Sequence, residues 1–382
     1  MSRKYKSSKL RLKGVSTVRQ FTASVVVGIL VSISFTLYSH FQTSSTNWDI
    51  LNAKNLSAFT TPFGLMFSLL SIFKDFGNRP RKVKILMPST SDYQSAIING
   101  FELTLGKLSK NVIEFEDITP RMHHRDEKAQ IEILRSLRSE KVDALVIMPA
   151  RLSKALLEEL RLLYFREVFI VILEYNPPKE VFNKAHLRAP YVIAPDFYLC
   201  GEILGNECIK LLQEDSKSKV INVISPIGEW ENNQGIDIQK ATSNIFARAG
   251  VVDKVVEIRL QSWDSKIASS LILTQIHRIS LSTTGSIIVS CGTDRILIQL
   301  WTALFNDDYN NIRDRIKLIG FDGIRDFRGE LIVNLCVNAV GTIDTKPLEI
   351  GIHAAQLILD EASGNLQIES GEVQIHPQFT NI

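Results

Sequence analysis

The sequence predicts an α/β protein with two doubly wound parallel-sheet lobes, preceded by one or two membrane helices. From residue 82 onward, short apolar runs alternate with helical patterns, which is typical of parallel sheets covered by helices on both faces. The alternation continues to the end of the 382-residue chain, which is too long for a single sheet of ordinary size. Residues 21–41 contain no Asp, Glu, Lys or Arg, which indicates a membrane segment.

The chain begins with a basic leader at residues 1–20. The whole chain has 44 Lys and Arg against 41 Asp and Glu, and seven of the basic residues fall in this leader, which has no acidic residue. The segment that follows, FTASVVVGILVSISFTLYSHF at 21–41, is long enough to cross a hydrocarbon core of about 30 Å. The positive-inside rule places the leader in the cytoplasm. The lack of a small-residue cleavage site favours an uncleaved anchor over a signal peptide.

Residues 42–81 form a linker with a second apolar segment at 58–73, AFTTPFGLMFSLLSIF. This segment is short for a membrane span, but Lys74 and Arg79 follow it, as basic residues do on the cytoplasmic side of a membrane. It could therefore complete a two-pass hairpin that leaves the domain at 82–382 in the cytoplasm. It could also lie in the membrane interface or pack onto that domain. We expect a single-pass cell-membrane protein whose C-terminal domain lies outside the cytoplasm, in the cell envelope.

Each element of the domain at 82–382 has its own pattern. VDALVIM at 142–148 is an apolar run closed by Pro149, which is typical of a buried strand, and Leu152, Leu156 and Leu160 give the next helix an apolar face. Further strands are predicted at 83–87, 112–118, 169–173, 191–194, 219–224, 254–260, 286–291 and 316–320. Further helices are predicted at 94–108, 126–139, 199–212, 234–248, 265–278 and 294–305.

Eight motifs occur along this domain in a characteristic order. They are KILMPSTSDYQSAIINGFE (84–102), KVDALVIMPA (141–150), VFIVILEYN (168–176), YVIAPDFYLCGEILGNECI (191–209), GEWENNQG (228–235), SIIVSCGTDRI (286–296), KLIGFDGI (317–324) and VGTIDTKPLEIGIHAAQLI (340–358). In this order they resemble the type I periplasmic binding protein family, in its sugar-binding branch shared with the effector domains of LacI-type repressors. The resemblance covers roughly residues 82–380.

The resemblance implies two lobes that close over a ligand by hinge motion. Lobe 1 would contain residues 82–194 and 346–366, and lobe 2 residues 197–343. The chain would cross between them near Pro195, near Thr345 and within 365–372.

Sugar ligands need polar groups for their hydroxyls and flat apolar faces for their C–H surfaces. The resemblance places such groups at Ser91, Asp92, Tyr93, Gln94, Glu174, Tyr175, Asp196, Trp230, Asn232, Asp294, Asp322 and Thr345. Tyr93 is the candidate stacking ring, with a half-buried loop tyrosine as the alternative, and Trp230 is either a cleft or a core residue. Asp322 is expected to contact the ligand. Asp294 begins a helix, so a capping role is expected for it before ligand contact.

The sequence also departs from the family pattern at three positions. Tyr175 and Asn232 stand where the family has arginines, and Thr345 stands where it has a hinge glutamine. Neither Tyr nor Asn supplies the planar, bidentate donors of a guanidinium group. The cleft is therefore expected to accept a different polyol or metabolite, or to serve as a protein-interaction module.

These observations predict a membrane-anchored solute-binding protein that captures a sugar-like molecule for transport or sensing, with an ABC permease or a sensor protein as its partner. The alternative is a membrane-tethered regulatory domain whose ligand-driven closure is detected by a partner protein. In this alternative the domain could also lie on the cytoplasmic face of the membrane. We expect no enzymatic activity, cofactor or metal, because no phosphate-binding, dinucleotide-binding or nucleophile motif is present. We expect no nucleic-acid binding, since the chain beyond the leader is net acidic.

Overall fold

A computed structural model describes residues 80–108, 113–121, 126–175, 179–185, 190–224, 233–260, 264–305, 309–326, 330–366 and 372–381. Pro80–Ile382 forms one compact unit. The basic leader, the predicted anchor at 21–41 and the apolar segment at 58–73 lie outside the described residues. Within the described ranges, no helix combines the length and the apolar character that a membrane span requires.

Lobe 1 contains a six-stranded parallel sheet. Its elements are β1 (Arg81–Leu86), α1 (Asp92–Leu108), β2 (Ile113–Asp117), α2 (Glu127–Ser136), β3 (Ala144–Ile147), α3 (Lys154–Phe165), β4 (Phe169–Leu173), α4 (Lys179–Lys184), β5 (Tyr191–Pro195), α10 (Pro347–Ser363) and β11 (Glu372–Ile375). The strand order is β11-β5-β4-β3-β1-β2. Every residue of β3 is buried, because helices cover both faces of this central strand.

Lobe 2 repeats the same plan. Its elements are α5 (Phe197–Glu214), β6 (Lys219–Ile224), α6 (Asn233–Arg248), β7 (Val255–Arg259), α7 (Ser265–Ser280), β8 (Ile287–Ser290), α8 (Asp294–Ala303), α9 (Asn310–Arg313), β9 (Ile316–Asp322), β10 (Ala339–Asp344) and β12 (Gln378–Asn381). The strand order is β12-β10-β9-β8-β6-β7, with β12 antiparallel to β10. The predicted α/β class with two parallel-sheet lobes is thus confirmed for the described residues.

The chain passes between the two sheets three times. The first two passages follow β5, which ends at Pro195, and β10, which ends at Asp344. The third was predicted within 365–372, and that prediction is wrong. β11 pairs in parallel with β5, from Glu372 against Val192 to Ile375 against Pro195, so the chain remains in lobe 1 as far as Ile375. The third passage therefore lies between β11 and β12. Before it, β11 pairs with β5 and so covers the edge of the lobe 1 sheet that β5 would otherwise leave open.

Candidate ligand-binding site

The segments that follow the carboxyl-terminal ends of β1 in lobe 1 and β8 in lobe 2 meet at the cleft between the lobes, together with the end of β9. α1 follows β1 in lobe 1, and α8 follows β8 in lobe 2. An ion pair joins the first turns of these two helices, with Arg295 Nη2 lying 2.9 Å from Asp92 Oδ2. In open α/β sheets, ligands bind outside this end of the strands. The loops that follow β1, β4 and β9 are therefore placed where a ligand could be held.

Four of the predicted site residues are linked by hydrogen bonds at the centre of this cleft. The Tyr93 hydroxyl donates to the carboxylate of Glu174, and it also lies 3.2 Å from Thr345 Oγ1. The Thr345 hydroxyl donates to the carbonyl oxygen of Asp322 at 3.2 Å. Residues from the first turn of α1, the position after β4, the end of β9 and the second crossing thus come together.

The Tyr93 hydroxyl is held as a hydrogen-bond donor. Burial raises its pKa well above the ordinary value, and the negative charges of Glu174 and Asp322 raise it further. The phenol therefore keeps its proton at neutral pH and donates it in the hydrogen bond to Glu174.

The predicted stacking role of Tyr93 does not match its position. The residue is 7% exposed, and its ring packs in the lobe 1 apolar cluster with Met87, Ile97 and Met148. A ring that is buried on this scale offers no open face to a sugar. Tyr93 instead joins the core of lobe 1 to the polar centre of the cleft.

Of the four residues other than glycine with positive φ in the described part of the chain, three lie at this place, and the fourth, Glu167, lies in the turn before β4. Glu174, Asp322 and Lys346 have φ values of 65°, 104° and 57°, in the region that side chains other than glycine seldom adopt. Glu174 directly follows β4, Asp322 is the last residue of β9, and Lys346 precedes α10 at the second crossing. Such strain persists only where surrounding contacts hold it, and it tends to occur at ligand-binding and hinge positions.

The predicted capping role of Asp294 is wrong. Thr293 caps α8, because its hydroxyl oxygen accepts from the backbone N–H of Ile296. Asp294 is fully buried inside lobe 2, where its two carboxylate oxygens accept from the N–H of Ile324 and from the Thr342 hydroxyl, both at 2.8 Å. It therefore holds the turn that follows Asp322 at the end of β9, and both of its oxygens are engaged inside lobe 2.

Three other predicted site residues make local contacts. Asp196 caps α5 by accepting from the N–H of Leu199 at 2.9 Å. Tyr175 is buried, and its hydroxyl donates to the carbonyl oxygen of Ala150 at 3.3 Å. The Ser91 hydroxyl oxygen accepts weakly from the N–H of Gln94 at 3.4 Å. Trp230 and Asn232 lie outside the described residues.

Sequence reasoning missed two residues that shape the cleft. Arg295 supplies the ion pair between the lobes, and Gln130 holds the turn after β3 by donating to Met148 O at 2.9 Å and accepting from Ala150 N at 2.7 Å. A signal existed for Arg295, since a cation in the first turn of a helix is disfavoured by the helix dipole and needs another partner. Gln130 lies in an ordinary helical pattern and offered no such signal.

Comparisons with known proteins identify the architecture. No family model and no curated protein matches the sequence. Solved structures do match. A solute-binding protein of an ABC transporter from Burkholderia graminis, in complex with D-arabinose, matches with a TM-score of 0.63 and 11% identity, over 80% of this chain and 96% of that one. The fold is that of the periplasmic solute-binding proteins.

Two further structures give the same result. A periplasmic solute-binding protein from Actinobacillus succinogenes with bound D-allose has a TM-score of 0.63 and 16% identity, over 79% of this chain and 97% of that one. The Caulobacter myo-inositol binding protein has a TM-score of 0.61 and 15% identity, over 79% and 95% of the two chains. At these identities the comparison establishes a shared fold and leaves the ligand to be argued from the cleft itself.

Proposed function

We propose that this protein is a membrane-anchored solute-binding protein that captures a polyhydroxylated, sugar-like molecule between its two lobes, for transport or for sensing. The observation that supports this most directly is the cleft centre formed by Tyr93, Glu174, Asp322 and Thr345. It combines carboxylates, which accept hydrogen bonds from hydroxyl groups, with hydroxyls that can accept or donate.

The fold supports the same proposal. The three structural neighbours described above were solved with D-arabinose, D-allose and myo-inositol bound, and all three ligands carry several hydroxyl groups. The arginines expected from the family resemblance are replaced here by Tyr175 and Asn232. Tyr175 is committed to Ala150 within lobe 1 and does not take over a guanidinium's role. We therefore propose a ligand whose hydroxyls are read mainly by carboxylates.

Calorimetric titration of the full chain in detergent tests this function, with D-arabinose, D-allose and myo-inositol as probes. We expect heat of binding with at least one probe. Asp322→Asn should weaken that binding by about tenfold or more, because a charge-assisted hydrogen bond becomes a neutral one. Asparagine tolerates positive φ, so the backbone at this position is preserved.

Asp253→Asn is the matched control, because Asp253 is an exposed carboxylate on a short turn before β7, and it should bind as the unchanged protein does. A folded protein that gives no heat with any probe would contradict the proposed function. Equal binding by Asp322→Asn and the unchanged protein would remove Asp322 from the site.

We also propose that the C-terminal domain lies outside the cytoplasm, anchored through residues 21–41. Thiol labelling of intact cells tests this, with outer layers permeabilised and with Lys74→Cys and Ser216→Cys as reporters. Ser216 is exposed, and the four native cysteines are buried, which keeps the background low. We expect an impermeant reagent to label both positions from outside. Protection of both until the membrane is lysed would instead support a two-pass protein with a cytoplasmic domain.

A further inference from the structure

The side chain of Gln94 is buried with an unused hydrogen-bond acceptor. Gln94 is 4% exposed, and its Oε1 has no partner. Two other buried side-chain oxygens in the described part of the chain, on Glu127 and Thr380, also lack partners, but those residues are only partly buried. An acceptor this deeply buried is normally paired, so an unpaired one calls for an explanation.

The amide of Gln94 lies at the edge of lobe 1 that forms the cleft. Gln94 is in the first turn of α1, next to Tyr93, and its Nε2 lies 3.9 Å from the sulfur of Met148, which directly follows β3. A thioether accepts hydrogen bonds weakly and donates none. The amide nitrogen therefore belongs on the side of Met148, and the oxygen is the atom left without a partner.

Polar groups of Tyr93, Met148 and Ala150 are already engaged with other residues. The carbonyl of Met148 and the N–H of Ala150 both bind Gln130, at 2.9 Å and 2.7 Å. The Tyr93 hydroxyl, on the neighbouring residue, donates to Glu174. Of these groups only the N–H of Ala150 and the Tyr93 hydroxyl are donors, and each would have to break an existing hydrogen bond to reach Gln94 Oε1.

We propose that Gln94 Oε1 accepts a hydrogen bond from a hydroxyl group of the captured molecule, and so determines which polyols the cleft accepts. This inference rests on the proposed function and adds a specificity-determining residue to it. A site built to accept from a ligand hydroxyl rejects an analogue that lacks this hydroxyl, because the buried acceptor is then left unpaired.

The variant Gln94→Met tests this proposal, with Gln130→Met as the matched control. Both substitutions replace a buried amide by an apolar side chain of similar length. The amide of Gln130 has both of its polar atoms engaged, whereas that of Gln94 has an oxygen to spare. We expect Gln130→Met to lower the melting temperature clearly and Gln94→Met to leave it unchanged or raise it. For the probe that binds the unchanged full chain, among D-arabinose, D-allose and myo-inositol, Gln94→Met should raise the Kd by about tenfold or more.

Each result decides between specific alternatives. Wild-type affinity in Gln94→Met would overturn this inference and leave the proposed function standing. If Gln94→Met lowers the melting temperature as much as Gln130→Met does, the amide of Gln94 has a hydrogen-bond partner inside the protein. That result also overturns the inference. If the unchanged protein binds none of the three probes, the proposed function fails, and the inference fails with it.

Discussion

At the residue scale, Asp294 is a completely buried carboxyl whose charge depends on pH near neutrality. Burial raises the pKa of its carboxyl from 3.8 to about 7, with a smaller contribution from the charge of Asp344. Hydrogen bonds from Ile324 N–H and the Thr342 hydroxyl oppose this rise without cancelling it. Burial raises the pKa values of the Cys291 and Cys336 thiols, and the charge of Asp294 raises them further. The carboxyl that holds the turn after β9 thus changes its own charge near neutral pH.

We expect Asp294 to lower the stability of the protein as pH rises. The folded carboxyl keeps its proton up to about pH 7, and the unfolded one loses it near 3.8. The folded state therefore binds more protons between these values, and the free energy of unfolding falls as pH rises through that window. A shift of this size corresponds to at most about 4 kcal/mol. Asp294→Asn, which does not titrate, should remove most of this fall in urea unfolding measured between pH 4 and 8.

The exposed Asp253→Asn variant should keep the wild-type dependence on pH, because it leaves the buried carboxyl in place. An equally steep fall in Asp294→Asn would show that another group causes it.

At the scale of elements, α1 and α10 cover one face of the lobe 1 sheet and cross at glycines. A Cβ on Gly100 would overlap the carbonyl oxygen of Leu348, and a Cβ on Gly351 would overlap that of Ile97. The two helices therefore approach more closely than any larger residue at these positions would allow. Both helices lead directly out of the cleft, since α1 begins at Asp92 and α10 begins after the second crossing.

Two alanine substitutions in α1 should have opposite effects. Gly100→Ala should lower the free energy of unfolding by about 1–3 kcal/mol, because the helices must separate to admit the methyl group. Gly106→Ala meets no atom within 4 Å and should raise it by about 0.5–1 kcal/mol through helix propensity. Urea denaturation of both variants measures the difference. A stabilising Gly100→Ala would contradict the close approach of α1 and α10.

The elements themselves were largely predictable from the sequence, and the errors have physical causes. Apolar runs such as ALVI in β3 and the leucine face of α3 are local patterns, and they identified both elements. The cap of α8 was predicted at Asp294 and lies at Thr293, since both residue types cap helices and only the backbone geometry distinguishes them. The third crossing was misplaced, because β11 is four residues long and is stabilised as a strand by pairing with β5.

At the scale of the whole molecule, the ion pair between Asp92 and Arg295 is a contact between the lobes that would break when the cleft opens. Both side chains are about half exposed, so the pair is expected to contribute about 1 kcal/mol or less. It can bias the balance between open and closed forms by several-fold, and it should weaken as salt concentration rises.

Arg295→Gln should shift the ligand-free protein toward the open form. Fluorophores at Ser139→Cys in lobe 1 and Ser216→Cys in lobe 2 report this by single-molecule energy transfer, since both positions are exposed. We expect more of the long-distance population in Arg295→Gln, and a smaller difference from the parent at high salt. Lys210→Gln, which breaks an exposed pair with Glu207 inside α5, is the matched control and should change nothing. Identical distributions in Arg295→Gln and the parent would exclude this pair as a determinant of closure.

The sequence by itself determined the two-lobe α/β class, because burial pattern and helical periodicity are properties of short segments. It also predicted that four residues belong to one site, namely Tyr93, Glu174, Asp322 and Thr345. Only the tertiary structure decided their roles, since these depend on partners far apart in the chain. Tyr93 became a buried donor to Glu174, Asp294 became an internal support, and Arg295 became a link between the lobes. Packing in three dimensions decides which buried polar atoms are hydrogen-bonded inside the protein and which, such as Gln94 Oε1, are not.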